Sequence, residues 1–96
     1  MSALSGIAKL MAIDAICLLK ARRDRACDTK DWDLYASLHA PDHVSENGDY
    51  GRWTSTAEMM LYVPKSMRNL TTLHQSHTPD ITFETATTAR GIWAME

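Results

Sequence analysis

Four histidines, two cysteines and a cluster of cations among acids are the groups in this sequence that could do chemistry. His39, His43, His74 and His77 first suggest a metal site, which for zinc needs three or four convergent ligands. Pro41 interrupts the helix between His39 and His43, so their four-residue spacing need not bring them together. His74 and His77 stand an odd number apart in a strand pattern and are expected on opposite faces. No metal is expected. Lys20, Arg22, Arg23 and Arg25 make a basic cluster, but Asp24 and Asp28 are interleaved with it. Local ion pairs on a solvated helix face are the expectation there, and a net charge of -2 gives no reason to expect a nucleic-acid partner. There is no nucleophile elbow and no phosphate-cradling glycine loop, so acyl and phosphoryl transfer find no support. Taken singly, Asp28 at a helix end can be a cap, and His74 can be a filler of the core edge.

The elements that must position these groups belong to one small domain. The chain has 96 residues, 45% hydrophobic and 23% charged, the balance of a globular protein with a single modest core. No stretch approaches the roughly 20 apolar residues of a membrane span, and no membrane partner is expected. The start, Met1-Ser2-Ala3-Leu4, lacks the charged and apolar regions of a signal peptide. Cys17 and Cys27 stand ten apart in one helical segment, roughly 15 Å along its axis, and cannot pair with each other. Reduced thiols and a cytoplasmic location are expected.

Residues 3 to 27 read as a long helix, with Ile13, Ile16, Leu19, Lys20, Arg23 and Cys27 on one face and Lys9, Asp14, Arg22 and Arg25 opposite. Asp31 is a good N-cap for a second helix carrying Trp32, Leu34, Tyr35 and Leu38, which Pro41 is expected to stop. Asn47-Gly48 and Gly51 predict a short hairpin within 42 to 54. Ser55-Thr56-Ala57-Glu58 matches a capping box for a third helix, which Pro64 is expected to end or kink. Met59 and Met60 in that helix read as core filler. From Thr71 the period becomes two. Leu73 and Gln75 alternate with His74 and Ser76, Ile81 and Phe83 with Thr82 and Glu84, and Ala89 to Met95 alternate likewise. Thr78-Pro79 and Thr85-Ala86-Thr87 punctuate these strands. Helices followed by antiparallel strands predict an α+β fold with helices on one face of the sheet. With about three strands counted and Glu96 in mid-strand, the sheet looks incomplete.

Three stretches resemble the SnoaL-like family, also called nuclear transport factor 2-like. The first runs from Leu19 through Cys27-Asp28-Thr29-Lys30-Asp31-Trp32-Asp33 to Leu38-His39-Ala40-Pro41-Asp42. The second is Thr72 to Ile81, around His74-Gln75-Ser76-His77-Thr78-Pro79, and the third Thr88-Ala89-Arg90-Gly91-Ile92-Trp93-Ala94-Met95-Glu96. They cover nearly the whole chain in the family's order. The resemblance implies a cone, or cystatin-like roll, with three N-terminal helices packed on a curved antiparallel sheet. It also implies that 1–96 is a single domain, C-terminally incomplete, whose closing strands would follow Glu96.

The family includes dehydratases and related lyases, and for these the resemblance implies an Asp–His dyad at Asp28 and His74. His74 would take a proton from a substrate carbon, and Asp28 would fix its tautomer and stabilise the imidazolium. Several such members carry a Tyr five residues before the Asp; here that position is Arg23, a cation able to stabilise a developing enolate or to pair with an acid. The expected function is a lyase or isomerase without a cofactor, acting on an apolar oxygenated molecule such as a polyketide, steroid or terpenoid. The substrate is expected between the long helix and the sheet, against Trp32, Tyr35, Trp53, Leu61, Phe83 and Trp93. A non-catalytic ligand-binding or assembly domain is the alternative on the same scaffold. A homodimer or homotrimer, docked at the edge near Trp93, would cover what an incomplete sheet exposes.

Overall fold

The computed structural model describes residues 5–95, so the first expected residues of the long helix, and Glu96, lie outside the described residues. The chain divides into two compact units: one holds the residues up to Asp24 together with those from His74 onward, the other Arg25–Leu73. Helix and antiparallel sheet are mixed, as the sequence predicts. Three α-helices are described with two separate two-stranded sheets.

Helix α1 (Gly6–Asp28) starts at a glycine with φ of +60°, a backbone setting that suits a residue without a Cβ. Its apolar face differs from the expected one. Ile13, Ile16, Lys20 and Arg23 are half-buried, but Leu19 is exposed, and the most buried residue of its first-unit part is Asp24. That carboxylate tolerates burial because Lys20 Nζ donates to it at 2.8 Å and Ser76 Oγ at 2.5 Å. Asp24 was expected on a solvated face; its partner Ser76 lies 52 residues away and gives no local signal.

The rest of the first unit is a hairpin of β3 (Ser76–Phe83) and β4 (Ala89–Met95), labelled in chain order after the two short strands below. Its turn is closed by Thr85, whose Oγ accepts from the amides of Thr87 and Thr88, both at 3.1 Å. The register runs from Phe83↔Ala89 to Ser76↔Met95, with an irregularity between His77 and Asp80. Two expectations are corrected here. Thr78-Pro79 does not separate strands; Pro79, lacking an N–H, sits inside β3 at the irregularity, where a bulge accommodates it. Residues 71–75 are not a strand, so His74 stands just before β3 rather than on it.

The second unit begins with the last turn of α1, which ends in a Schellman motif. Asp31 N donates to Ala26 O, Lys30 N donates to Cys27 O, and Lys30 takes the left-handed position at φ 59°. Asp31 at once caps α2 (Trp32–Ser37), accepting from Leu34 N. This helix stops at Ser37, before Pro41 can act on it. The expected short hairpin is present: β1 (Ser45–Glu46) pairs with β2 (Arg52–Trp53) around a 3₁₀ turn at Gly48–Tyr50. Helix α3 (Thr56–Met67) has the predicted start, since Ser55 Oγ accepts from Glu58 N at 3.0 Å. The return arm differs slightly, because Glu58 Oε1 accepts from Thr54 N, one residue earlier than in the standard box. Pro64 does not end α3, which continues to Met67. Val63 and Met67, on either side of it, pack against the core of Ala26, Cys27, Tyr35 and Met59 and offset the lost helical bond. Trp32, Trp53 and Met60 complete that core.

Candidate functional site

In the first unit a cavity of about 580 Å³ opens between α1 and the hairpin. The size lies in the range of small-molecule sites, roughly 300–1,000 Å³. Helix spacing places Ala12, Ala15 and Ile16 on one wall, at i, i+3 and i+4. Strand alternation places Ile81, Phe83, Ala89, Gly91 and Trp93 on the other; Ile81 is opposite Gly91 and Phe83 opposite Ala89 in the register. Ala86, Thr87 and Thr88 of the turn close one end, and Arg90 belongs to the rim. Arg90 alternates with Gly91 and pairs with Glu84 at 2.7 Å. The lining is therefore mostly apolar, with hydroxyls and one ion pair at the turn end.

Of the residues expected to hold a substrate, Phe83 and Trp93 line this cavity. Trp32, Tyr35 and Trp53 come together elsewhere, in the core of the second unit around Met59. Trp32 meets Tyr35 edge to face at 5.4 Å, and Trp53 stacks on Tyr62 at 6.0 Å. Trp53 Nε1 is buried there without a hydrogen-bond partner. Leu61 is exposed on α3. Ala12, Ala15 and Gly91 were missed as cavity residues. Their signal was available in small residues one helical turn apart and in a Gly-x-Trp on one strand face.

The residues expected to do chemistry are placed as follows. Asp28 is half-buried at the C-terminal end of α1 and accepts from Thr72 Oγ at 2.7 Å. His74 is half-buried. Arg23 is half-buried, with Nη1 3.9 Å from Asp24 Oδ1. A carboxylate at a helix C-terminus opposes the helix dipole. Asp28 is in this unfavourable position, and the Thr72 hydroxyl donates a hydrogen bond to it.

His39 and His43, whose spacing across Pro41 need not bring them together, are close: their ring centroids are 4.7 Å apart. The turn closed by His43 N on Ala40 O folds the chain back, so the spacing survives the proline. The His39 ring packs tilted against Tyr35 at 4.7 Å, and its Nδ1–H donates to Tyr35 O at 2.6 Å. Among the described residues no helix is long and apolar enough to cross a membrane.

The order of elements, from a long helix through Asp28 and the Trp32 helix to a paired strand containing Gly91-Ile92-Trp93, is the order in which the family's motifs resemble this chain. The sequence profile of the SnoaL-like domain matches residues 8–96, nearly the full length, and this chain belongs to the SnoaL-like domain family.

Proposed function

We propose that this protein binds an apolar, oxygenated small molecule in the cavity between α1 and the β3–β4 hairpin, and acts on it as a cofactor-independent lyase or isomerase. The observation that carries the binding reading is the cavity itself: mostly apolar walls and two aromatic rings, with Thr87, Thr88 and Arg90 the polar side chains among its lining. Its family supports the same reading, since SnoaL-like domains bind small ligands and include polyketide cyclases and isomerases.

For the chemistry, His74 is the general base and Asp28 its orienting carboxylate. His74 removes a proton from a carbon next to a substrate carbonyl. The electron pair either expels a halide, or a hydroxyl that leaves as water with the proton from His74, from the neighbouring carbon, or takes that proton back from His74 to form a C–H bond at the conjugated position. Arg23 stabilises the developing enolate oxygen. Supporting these roles are the family membership and the unfavourable dipole position of Asp28, whose carboxylate accepts from Thr72 Oγ. The domain assembles as a homodimer or homotrimer, docked at the strand edge near Trp93.

A second reading, binding without catalysis, is favoured by one observation: neither His74 nor Arg23 is among the residues that line the first-unit cavity. A β,γ-unsaturated steroid ketone separates the two, because its conversion to the conjugated enone is followed by ultraviolet absorption. The parent protein is expected to accelerate it, and His74→Ala to lose at least about a hundredfold in rate while still binding the ketone. Asp28→Asn should lose about tenfold or more. Binding with no conversion, or a His74→Ala variant as active as the parent, would leave the non-catalytic reading in its place.

A further inference from the structure

Ser76 reaches Asp24 because of the irregularity in β3. Ser76 and Ile81 stand five residues apart, an odd spacing that puts side chains on opposite faces of a regular strand. Between the pairs His77↔Ala94 and Asp80↔Ile92, β3 advances three residues and β4 two. The one extra residue restores the parity. Ser76 therefore lies opposite Met95, on the strand face that Trp93, Ile81 and Phe83 share and that forms the cavity wall. Helix α1 continues its own wall in the same way. Ala12 and Ile16 line the cavity, and Lys20 and Asp24 follow at four-residue steps on the same row. The hydrogen bond from Ser76 Oγ to Asp24 Oδ2 joins the two rows. The space between α1 and the hairpin thus passes from an apolar cavity to a charged cluster, with Lys20 about 6 Å along the helix axis from Ile16.

That cluster has donors and charge to spare. Lys20 Nζ carries three N–H groups, and its side chain is only 20% exposed. One N–H goes to Asp24 Oδ1, and Asp24 is the sole partner of Lys20 among the described residues. Two donors remain on an ammonium largely screened from water, where a missing acceptor costs free energy. The charges are also uneven. Arg23 Nη1 lies 3.9 Å from the same Oδ1, so two cations stand around one carboxylate. An anionic oxygen supplies both the acceptor and the balancing charge, and a carboxylate does so with strong, charge-assisted hydrogen bonds. We infer that Lys20 is a specificity-determining residue, which makes the cavity select an apolar ligand that ends in a carboxylate over its uncharged ester. The body of the ligand lies against Ile16, Phe83 and Trp93, and its carboxylate accepts from Lys20 Nζ. Asp24 is a positioning residue, since Oδ1 holds the ammonium while Oδ2 holds the start of β3 through Ser76. This inference rests on the proposal that the cavity binds small molecules.

The test is equilibrium dialysis at pH 7 with 4-phenylbutyrate and its methyl ester, which share an apolar body and differ in charge. The parent is expected to bind the acid at least about tenfold more tightly than the ester, the size of effect a charge-assisted hydrogen bond supplies. Lys20→Gln should bring the two affinities within about threefold of each other by weakening the acid alone, and Lys20→Arg should keep the preference. Lys9→Gln removes the same charge from an exposed position of α1 and should leave the preference as in the parent. Far-ultraviolet circular dichroism checks that each variant keeps its fold. Equal affinities in the parent overturn the inference without recourse to any variant, and leave ligand binding intact. A folded Lys20→Gln that still prefers the acid, or a Lys9→Gln that loses the preference, overturns it as well. If the parent binds neither probe, the cavity reading falls, and the inference falls with it.

Discussion

Replacing Met59 by Ala is expected to destabilise the protein by about 2–5 kcal/mol, the range seen when a large buried side chain is cut back in a packed core. Met59 is 1% exposed and is the largest fully buried side chain among the described residues. It sits in the first turn of α3, where Ser55 and Glu58 fix the helix start, and it meets Ala26, Cys27 and Tyr35. With Ala26 and Cys27 at the end of one helix and Tyr35 in another, Met59 joins three helical segments of the second unit. Domains of this size are stable by only about 5–15 kcal/mol, so one such loss takes a large share. Urea unfolding followed by circular dichroism checks it. A loss below about 1 kcal/mol would mean that Met59 does not anchor this core.

The second large effect is expected at Asp24. Asp24→Ala removes the acceptor of both Lys20 Nζ and Ser76 Oγ, and leaves a cation that is only 20% exposed without its closest partner. Breaking a buried ion pair from one side costs about 3–5 kcal/mol, and the partial exposure of Lys20 lowers the expected loss to about 2–3 kcal/mol. The double variant Asp24→Ala with Lys20→Met should recover part of that loss, since it no longer strands a charge. The same urea experiment reads both. If Asp24→Ala unfolds at the parent's midpoint, the Asp24 cluster contributes no stability. Because Asp24 holds Ser76, the variant also tests whether anchoring the start of β3 matters to the rate assigned to His74.

What was legible in the sequence was local. Asp31 and Ser55 were readable as caps because a cap and the amide it satisfies lie within three residues of each other. The hairpin at Asn47-Gly48 was readable for the same reason. The family resemblance carried further than the patterns did, since it fixed the order of elements and the identity of the fold family from motifs spread over the chain.

Misreadings arose where a residue's fate is decided by something distant. The alternation at Leu73-His74-Gln75-Ser76 looked like a strand, but the paired strand begins at Ser76 and residues 71–75 are not part of it. A period of two makes a strand only where a neighbour supplies the ladder. Asp24 looked solvated because its neighbours are charged, while the hydroxyl that lets it be buried comes from β3. Pro64 was expected to end or kink its helix; it does not end it, and Val63 and Met67 on either side pack against the core. Phe83 and Trp93, named from the sequence, line the cavity, and Gly91, which also lines it, was not named, since an absent side chain leaves no mark in a hydrophobicity pattern. Trp32, Tyr35 and Trp53 show the converse difficulty: aromatic residues suited to hold a ligand are equally suited to pack a core.

The central claim is that the small molecule is held between α1 and the β3–β4 hairpin. A heteronuclear NMR titration with the β,γ-unsaturated steroid ketone tests it most directly. The account predicts that the amides of Ala12, Ala15, Ile16, Phe83 and Gly91 and the Trp93 indole N–H shift together and saturate at one ligand concentration, while Tyr35 and Met59 stay in place. Shifts centred on the Tyr35–Met59 core, or no saturable shift at Trp93, would contradict it.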